Sequence, residues 1–143
     1  RHSMAMNQRA TEVDPFYEVV RKLNSCKLLK VIVTSSYSEA VYAILKKSGN
    51  YCDSLTQSVY GREQHKTKTE KIRHALDLFQ VEMTEALYVG DLASDILYCR
   101  EVPIDIACVG YGYHPADYLQ QFSPDYILAN EEDFIDFLDK FSY

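Results

Sequence analysis

Short continuous apolar runs alternate along this chain with longer segments whose apolar residues recur at helical spacing. The runs read as strands covered on both faces, and the spaced segments as amphipathic helices. Asp14-Pro15 predicts a helix start, with a capping carboxylate and a proline at the first helical position. Phe16, Val19, Val20 and Leu23 then mark one apolar face. Leu29-Lys30-Val31-Ile32-Val33-Thr34 predicts a strand. Ser36 or Ser38 caps the next helix, which carries Val41, Ile44 and Leu45 and stops at Ser48-Gly49-Asn50. A less regular strand is expected over 54–59, then a polar, basic loop over 61–68. A helix over 69–79 turns Ile72, Ala75, Leu76 and Phe79 inward.

Further strands are predicted over 86–89, 104–109 and 125–129, and helices over 94–100, 115–122 and 131–141. Strand and helix alternate with short connections. That order predicts an α/β fold, a parallel sheet with helices on both faces. Residues 1–13 are set aside as a tag or disordered leader, since Arg1-His2-Ser3-Met4 resembles a cloning scar. Residues 14–143 are expected to form one domain, long enough to bury a core.

The net charge of −6 argues against nucleic acid or an anionic membrane as the main partner. No apolar run is long enough to span a membrane, and no signal-peptide pattern opens the chain. Cys26, Cys52, Cys99 and Cys108 are scattered without a Cys-x-x-Cys pair, so buried thiols in a reducing cytoplasm are expected rather than disulfides or zinc. The 12 tyrosines fall on several elements and read as half-buried core edges, not as a stacking platform for bases.

Three polar features fall where a parallel sheet gathers its ligands, at strand ends. Leu87-Tyr88-Val89-Gly90-Asp91-Leu92-Ala93-Ser94-Asp95 is an apolar strand, a Gly-Asp turn and a second acid as a helix begins. Two carboxylates there can hold Mg²⁺ through oxygen ligands and waters. Thr34, with Ser35 and Ser36, closes the first predicted strand; hydroxyls and N–H groups between strand and helix suit a phosphate oxygen. Lys68, where the basic loop meets the next helix, can neutralise a phosphoryl group as a point charge, with Lys66 a competing choice. Together these are parts for metal-assisted phosphoryl transfer. Each also has an ordinary reading: a strand-end threonine, a solvated lysine, a Gly-Asp turn with Asp95 on the first helical turn. His114 before Pro115 reads as a loop histidine.

Taken in order, these segments resemble the haloacid dehalogenase-like hydrolase superfamily. Val31-Ile32-Val33-Thr34-Ser35-Ser36 is similar to its second motif, Lys68-Thr69-Glu70-Lys71-Ile72 to the third, and Val89-Gly90-Asp91-Leu92-Ala93-Ser94-Asp95-Ile96 to the fourth. Ile106-Ala107-Cys108-Val109-Gly110-Tyr111-Gly112 and Pro124-Asp125-Tyr126-Ile127-Leu128 resemble the last two strands of its phosphoglycolate-phosphatase-like branch. The resemblance implies a three-layer, Rossmann-like core in which Thr34, Ser35 and Lys68 bind phosphate and Asp91 and Asp95 serve Mg²⁺.

It also implies a first motif, an apolar strand ending in Asp-x-Asp whose acids act as nucleophile and general acid/base. Residues 1–13 contain no such pair, and Asp14 leads into a helix. The expectation is therefore the C-terminal part of the core of a cytoplasmic phosphohydrolase acting on a small phosphomonoester, inactive by itself. In the family the missing strand lies between the strands ending at Thr34 and Gly90. Those two strands would pair directly, self-associate through exposed edges, or receive a segment from elsewhere. A non-catalytic binding or regulatory module is the alternative. A receiver-like signalling domain would carry its acidic pair ahead of a phosphoacceptor, the reverse of the order here.

Overall fold

A computed structural model of the chain describes residues 22–23, 29–48 and 59–140. The chain divides into two compact units, one containing the residues up to His65 together with those from Glu131, the other Lys66–Asn130. The helix start expected at Asp14, the stop at Gly49 and most of the strand expected over 54–59 lie outside the described residues, as does the leader.

In the first unit, β1 (Ile32–Val33) runs parallel to β2 (Val59–Tyr60), with Ile32 opposite Val59 and Val33 opposite Tyr60. The Thr34 N–H extends this ladder onto the Tyr60 carbonyl at 3.0 Å. Helix α1 (Ser38–Ser48) packs on β2 and buries Val41. The last helix of the chain, α5 (Glu131–Asp139), buries Phe134, Phe137 and Leu138, which share one face by their spacing. Its first turn carries Glu131, Glu132 and Asp133, where negative charge meets the positive end of the helix dipole.

The second unit holds α2 (Lys68–Leu78), β3 (Leu87–Gly90), α3 (Ala93–Glu101), β4 (Asp105–Val109), α4 (Ala116–Gln120) and β5 (Tyr126–Leu128). Its strands form one parallel sheet in the order β3-β4-β5, with Gly90 opposite Cys108 and Cys108 opposite Ile127. As the central strand, β4 is covered on both faces: Ile106, Ala107 and Cys108 have no exposed surface. This is why its sequence is continuously apolar instead of alternating. Helix α3 packs on β4, α2 on α3, and α4 on β4 and β5. Ile96, Cys99 and Leu119 fill the spaces between.

The predicted α/β class holds, and the predicted strands and helices of this unit appear with ends shifted by a residue or two. Among the described strands the ladders form two parallel sheets, β1-β2 and β3-β4-β5. Direct pairing of β1 with β3 is thus not among the described ladders.

One polar brace ties β5 to its neighbours. Asp125 Oδ2 accepts the Ile106 N–H at 2.9 Å and the Arg100 guanidinium at 3.0 Å, while Arg100 also reaches the Ser123 carbonyl at 2.9 Å. Partial burial works to raise the Asp125 pKa, but the Ile106 N–H and Arg100 outweigh it and hold the carboxyl below its ordinary 3.8. A depressed folded-state pKa contributes stability above the unfolded value, lost as pH falls through the folded one. Asp125→Ala is expected to cost about 1–3 kcal/mol in urea denaturation at neutral pH. Asp125→Asn should flatten the loss of stability below about pH 4.

Candidate functional site

The acidic turn is built at the carboxyl end of β3. Gly90 ends the strand with no side chain because none fits: a Cβ there would lie 2.5 Å from Asp95 Oδ2 and 2.9 Å from the Tyr88 ring. Asp91 and Asp95 are both buried, at 4% and 0% exposure. A buried carboxylate must be paired or hydrogen-bonded to stay charged, and Asp95 is both. Its Oδ2 accepts the Leu92 N–H at 3.2 Å, one of the leading donors of α3 that have no partner inside the helix. Its Oδ1 accepts from the Lys68 ammonium at 2.8 Å. The sequence-predicted Lys68, Asp91 and Asp95 are thus brought to one strand end, with Asp95 as the link between lysine and turn.

Lys68 reaches Asp95 because two devices fix the start of α2. Thr67 and Glu70 form a capping box, Thr67 Oγ1 accepting the Glu70 N–H at 3.1 Å and Glu70 Oε1 the Thr67 N–H at 2.8 Å. Further along, Thr69 Oγ1 donates to Glu101 Oε1 at 2.8 Å and Arg73 to the Glu101 carbonyl at 2.9 Å, tying α2 to α3. A lysine at the first helical position sits at the unfavourable end of the dipole, so a buried acid is what gives it a reason to be there. Lys66, the competing lysine, is exposed ahead of the helix, where its charge acts on Glu70.

Asp91 is held from another side, by the loop that follows β4. Its Oδ2 accepts the Tyr113 N–H at 2.9 Å, and its backbone carbonyl accepts the His114 N–H at 3.2 Å. The Ala93 N–H in turn donates to His114 Nδ1 at 3.1 Å. Gly112 makes this approach possible, since a Cβ there would meet Asp91 Cβ and Oδ2 at 2.6 Å. His114 was not legible as part of the site; a Gly-x-Gly run straight after a parallel strand was the available hint that backbone passes close to something.

Thr34 and Ser35 lie in the first unit. Thr34 is buried at the end of β1, and its Oγ1 accepts the Ser36 N–H at 3.0 Å, closing a hydroxyl turn; Ser35 is exposed. Glu63 takes the entry of α1, accepting the Ser38 N–H at 3.1 Å and the Ser38 hydroxyl.

Burial near the turn holds two thiols and one phenol in their neutral forms. Burial, reinforced by the charge of Asp95, raises the thiols of Cys99 and Cys108 to about 12, so neither supplies a thiolate. Burial, then the charges of Asp95 and its neighbours, pushes the Tyr88 phenol well above its ordinary value and keeps it neutral.

Among the described residues no three His, Cys, Asp or Glu side chains cluster as a metal cage. A buried aspartate beside a glycine-lined turn suits a different ion, a hard cation that takes one or two carboxylates and completes its shell with water and phosphate oxygens. That is the Mg²⁺ pattern.

Lys68→Met is expected to destabilise the chain by about 3 kcal/mol, because it leaves Asp95 buried and charged without its cation. Adding Asp95→Asn to Lys68→Met should recover about half of that loss in urea denaturation, the coupling expected of a directly paired lysine and acid. With Asp95→Asn alone completing the cycle, a double variant whose loss equals the sum of the two single losses would show that the pair is not coupled.

Residues 1–109 match the family described as haloacid dehalogenase-like hydrolase. The chain is 29% identical over 139 residues to pyrophosphatase PpaX of Halalkalibacterium halodurans, covering 95% of the chain and 64% of that protein. It is 29% identical over 127 residues to pyrophosphatase PpaX of Listeria monocytogenes, covering 87% and 58%. A solved structure of a candidate phosphatase from Clostridium difficile superposes with a TM-score of 0.70 at 27% identity, over 87% of this chain and 59% of that one. A haloacid dehalogenase-like family hydrolase from Streptococcus pneumoniae shares the fold, with a TM-score of 0.66 at 20% identity over 85% and 57%. The chain therefore spans about two thirds or less of the length of these relatives, and it belongs to the haloacid dehalogenase-like hydrolase family.

Proposed function

We propose that this chain is the C-terminal part, residues 14–143, of the core of a Mg²⁺-dependent phosphohydrolase acting on a small phosphorylated substrate in the cytoplasm. The observation that carries the reading is the Lys68–Asp95 pair at 2.8 Å, beside buried Asp91, at the end of a parallel strand. Asp91 would hold the cation directly. Asp95, whose oxygens already serve Lys68 and the Leu92 N–H, would support it by fixing the lysine and the turn. Lys68 would set its charge against a phosphoryl oxygen. In the first unit, Thr34 and Ser35 would be phosphate-binding residues through their hydroxyl and N–H donors. Bound Mg²⁺ would neutralise charge on the transferring phosphoryl group.

No residue is assigned to the two acids of an aspartyl-phosphate mechanism, because no Asp-x-Asp occurs in the sequence. The residues assigned here would bind metal and phosphate and supply no nucleophile. Both phosphomonoesters and pyrophosphate are reasonable substrates, the latter because two relatives are named pyrophosphatases. The same missing pair favours, as a second reading, a non-catalytic module that keeps a metal or phosphate pocket for regulation.

The chain is expected to bind Mn²⁺ as a Mg²⁺ surrogate, to lose that binding on Asp91→Asn, and to turn over neither p-nitrophenyl phosphate nor pyrophosphate. Turnover that Asp91→Ala abolishes would overturn the inactive-half proposal. Reading the coding frame upstream of Met4 separates enzyme from module: an apolar strand ending in Asp-x-Asp is the expected result for the enzyme.

A further inference from the structure

We propose that His114 is a positioning residue for the Asp91 carboxylate, acting through the backbone at the start of α3. The inference rests on the metal-binding reading of Asp91 given above. The leading N–H groups of a helix have no partners within it. Leu92 gives its N–H to Asp95, and Ala93 gives its own to His114 Nδ1 at 3.1 Å. A ring nitrogen that accepts a hydrogen bond carries no hydrogen, so the proton of the neutral imidazole lies on Nε2.

Three hydrogen bonds lace the loop between β4 and α4 to the acidic turn. Two are donated by loop backbone, from Tyr113 to Asp91 Oδ2 at 2.9 Å and from His114 to the Asp91 carbonyl at 3.2 Å. The third, from Ala93 to His114 Nδ1, is the one among them that a loop side chain makes. Substituting His114 can therefore untie the lacing without touching Asp91 itself.

The ring is held for that role. Tyr113 meets it edge-on at 4.7 Å, Tyr118 lies against it at 4.6 Å, and Phe122 backs Tyr118 at 5.3 Å. The loop is pinched at its base by the Tyr111–Pro115 bridge, and Gly110 lets Ala116 approach to where a Cβ would be 2.7 Å away. These contacts hold His114 together with its chain neighbour Tyr113. If the Ala93 bond is lost, the Tyr113 N–H that orients the Asp91 carboxylate loosens with it. Mg²⁺ tolerates little departure from octahedral geometry, and partners that orient a metal ligand typically matter by about 10–100-fold in affinity.

His114→Phe keeps an aromatic ring for the tyrosines and removes the acceptor. His114→Asn returns an amide oxygen close to the Nδ1 position. The experiment reads amide hydrogen exchange at Ala93 and Tyr113, with Ala107 and Cys108 of β4 as folding controls, and Mn²⁺ affinity of the full chain. Expected for His114→Phe are lost protection at Ala93 and Tyr113, unchanged β4 amides, and Mn²⁺ binding weakened by about 10–100-fold. His114→Asn should restore much of both. The proposal is overturned if His114→Phe leaves Tyr113 protected and changes Mn²⁺ affinity by less than about twofold, or if His114→Asn is no better than His114→Phe. Absent Mn²⁺ binding by the unmodified chain, with exposure of both amides still produced by His114→Phe, would remove the metal assignment of Asp91 and support the positioning role.

Discussion

The buried carboxylate of Asp95 is the constraint around which the candidate site is arranged. It has no exposed surface, so both oxygens must find partners inside the protein. One partner is the first free donor of α3 and the other is the Lys68 ammonium at the start of α2. A single side chain thereby fixes the entry angles of two helices and brings a cation to the end of β3. Gly90 is the geometric condition for this, because a Cβ there would lie 2.5 Å from Asp95 Oδ2. The pair fixes position more than it adds stability, since a buried ion pair recovers little beyond its desolvation cost.

Asp91 is placed by a different part of the chain. The loop after β4 folds over the turn, gives two N–H donors to Asp91 and takes one from Ala93. Adjacent parallel strands put their carboxyl ends at the same edge of a sheet, so the loops leaving β3 and β4 meet there. The chemistry proposed for this chain follows from that topology: one loop contributes acids, and its neighbour orients one of them.

Much of this was legible in the residues. The run Leu87-Tyr88-Val89 before Gly90-Asp91 marked a strand delivering a carboxylate, and β3 ends at Gly90, although Leu87 and Val89 are exposed where the apolar run had implied burial. The unbroken apolar stretch over 104–109 marked the strand covered on both faces, and β4 is the central strand of its sheet. The helical spacing of Ile72, Ala75 and Leu76 marked α2, though its inward face is only partly buried. Strand ends were less legible, since β1 and β2 pair over two residues each while the apolar run around β1 is longer. Hydrophobicity marks which residues can be covered, whereas strand assignment depends on which backbone groups find a partner.

The sequence by itself determined the alternation of strands and helices, the parallel α/β class and the presence of acids and a lysine at strand and helix ends. Those are properties of periodicity and local capping, and each is written in a short window of residues. Only the tertiary structure decided that Lys68 and not Lys66 meets Asp95, that Asp95 has both oxygens engaged, and that His114 belongs to the turn at Asp91. The Leu92 bond to Asp95 spans three residues and is a local cap, but the contacts of Ala93 with His114 and of Lys68 with Asp95 join residues 21 and 27 positions apart. No local pattern records them, because they exist only where parallel strands bring separate loops to one edge.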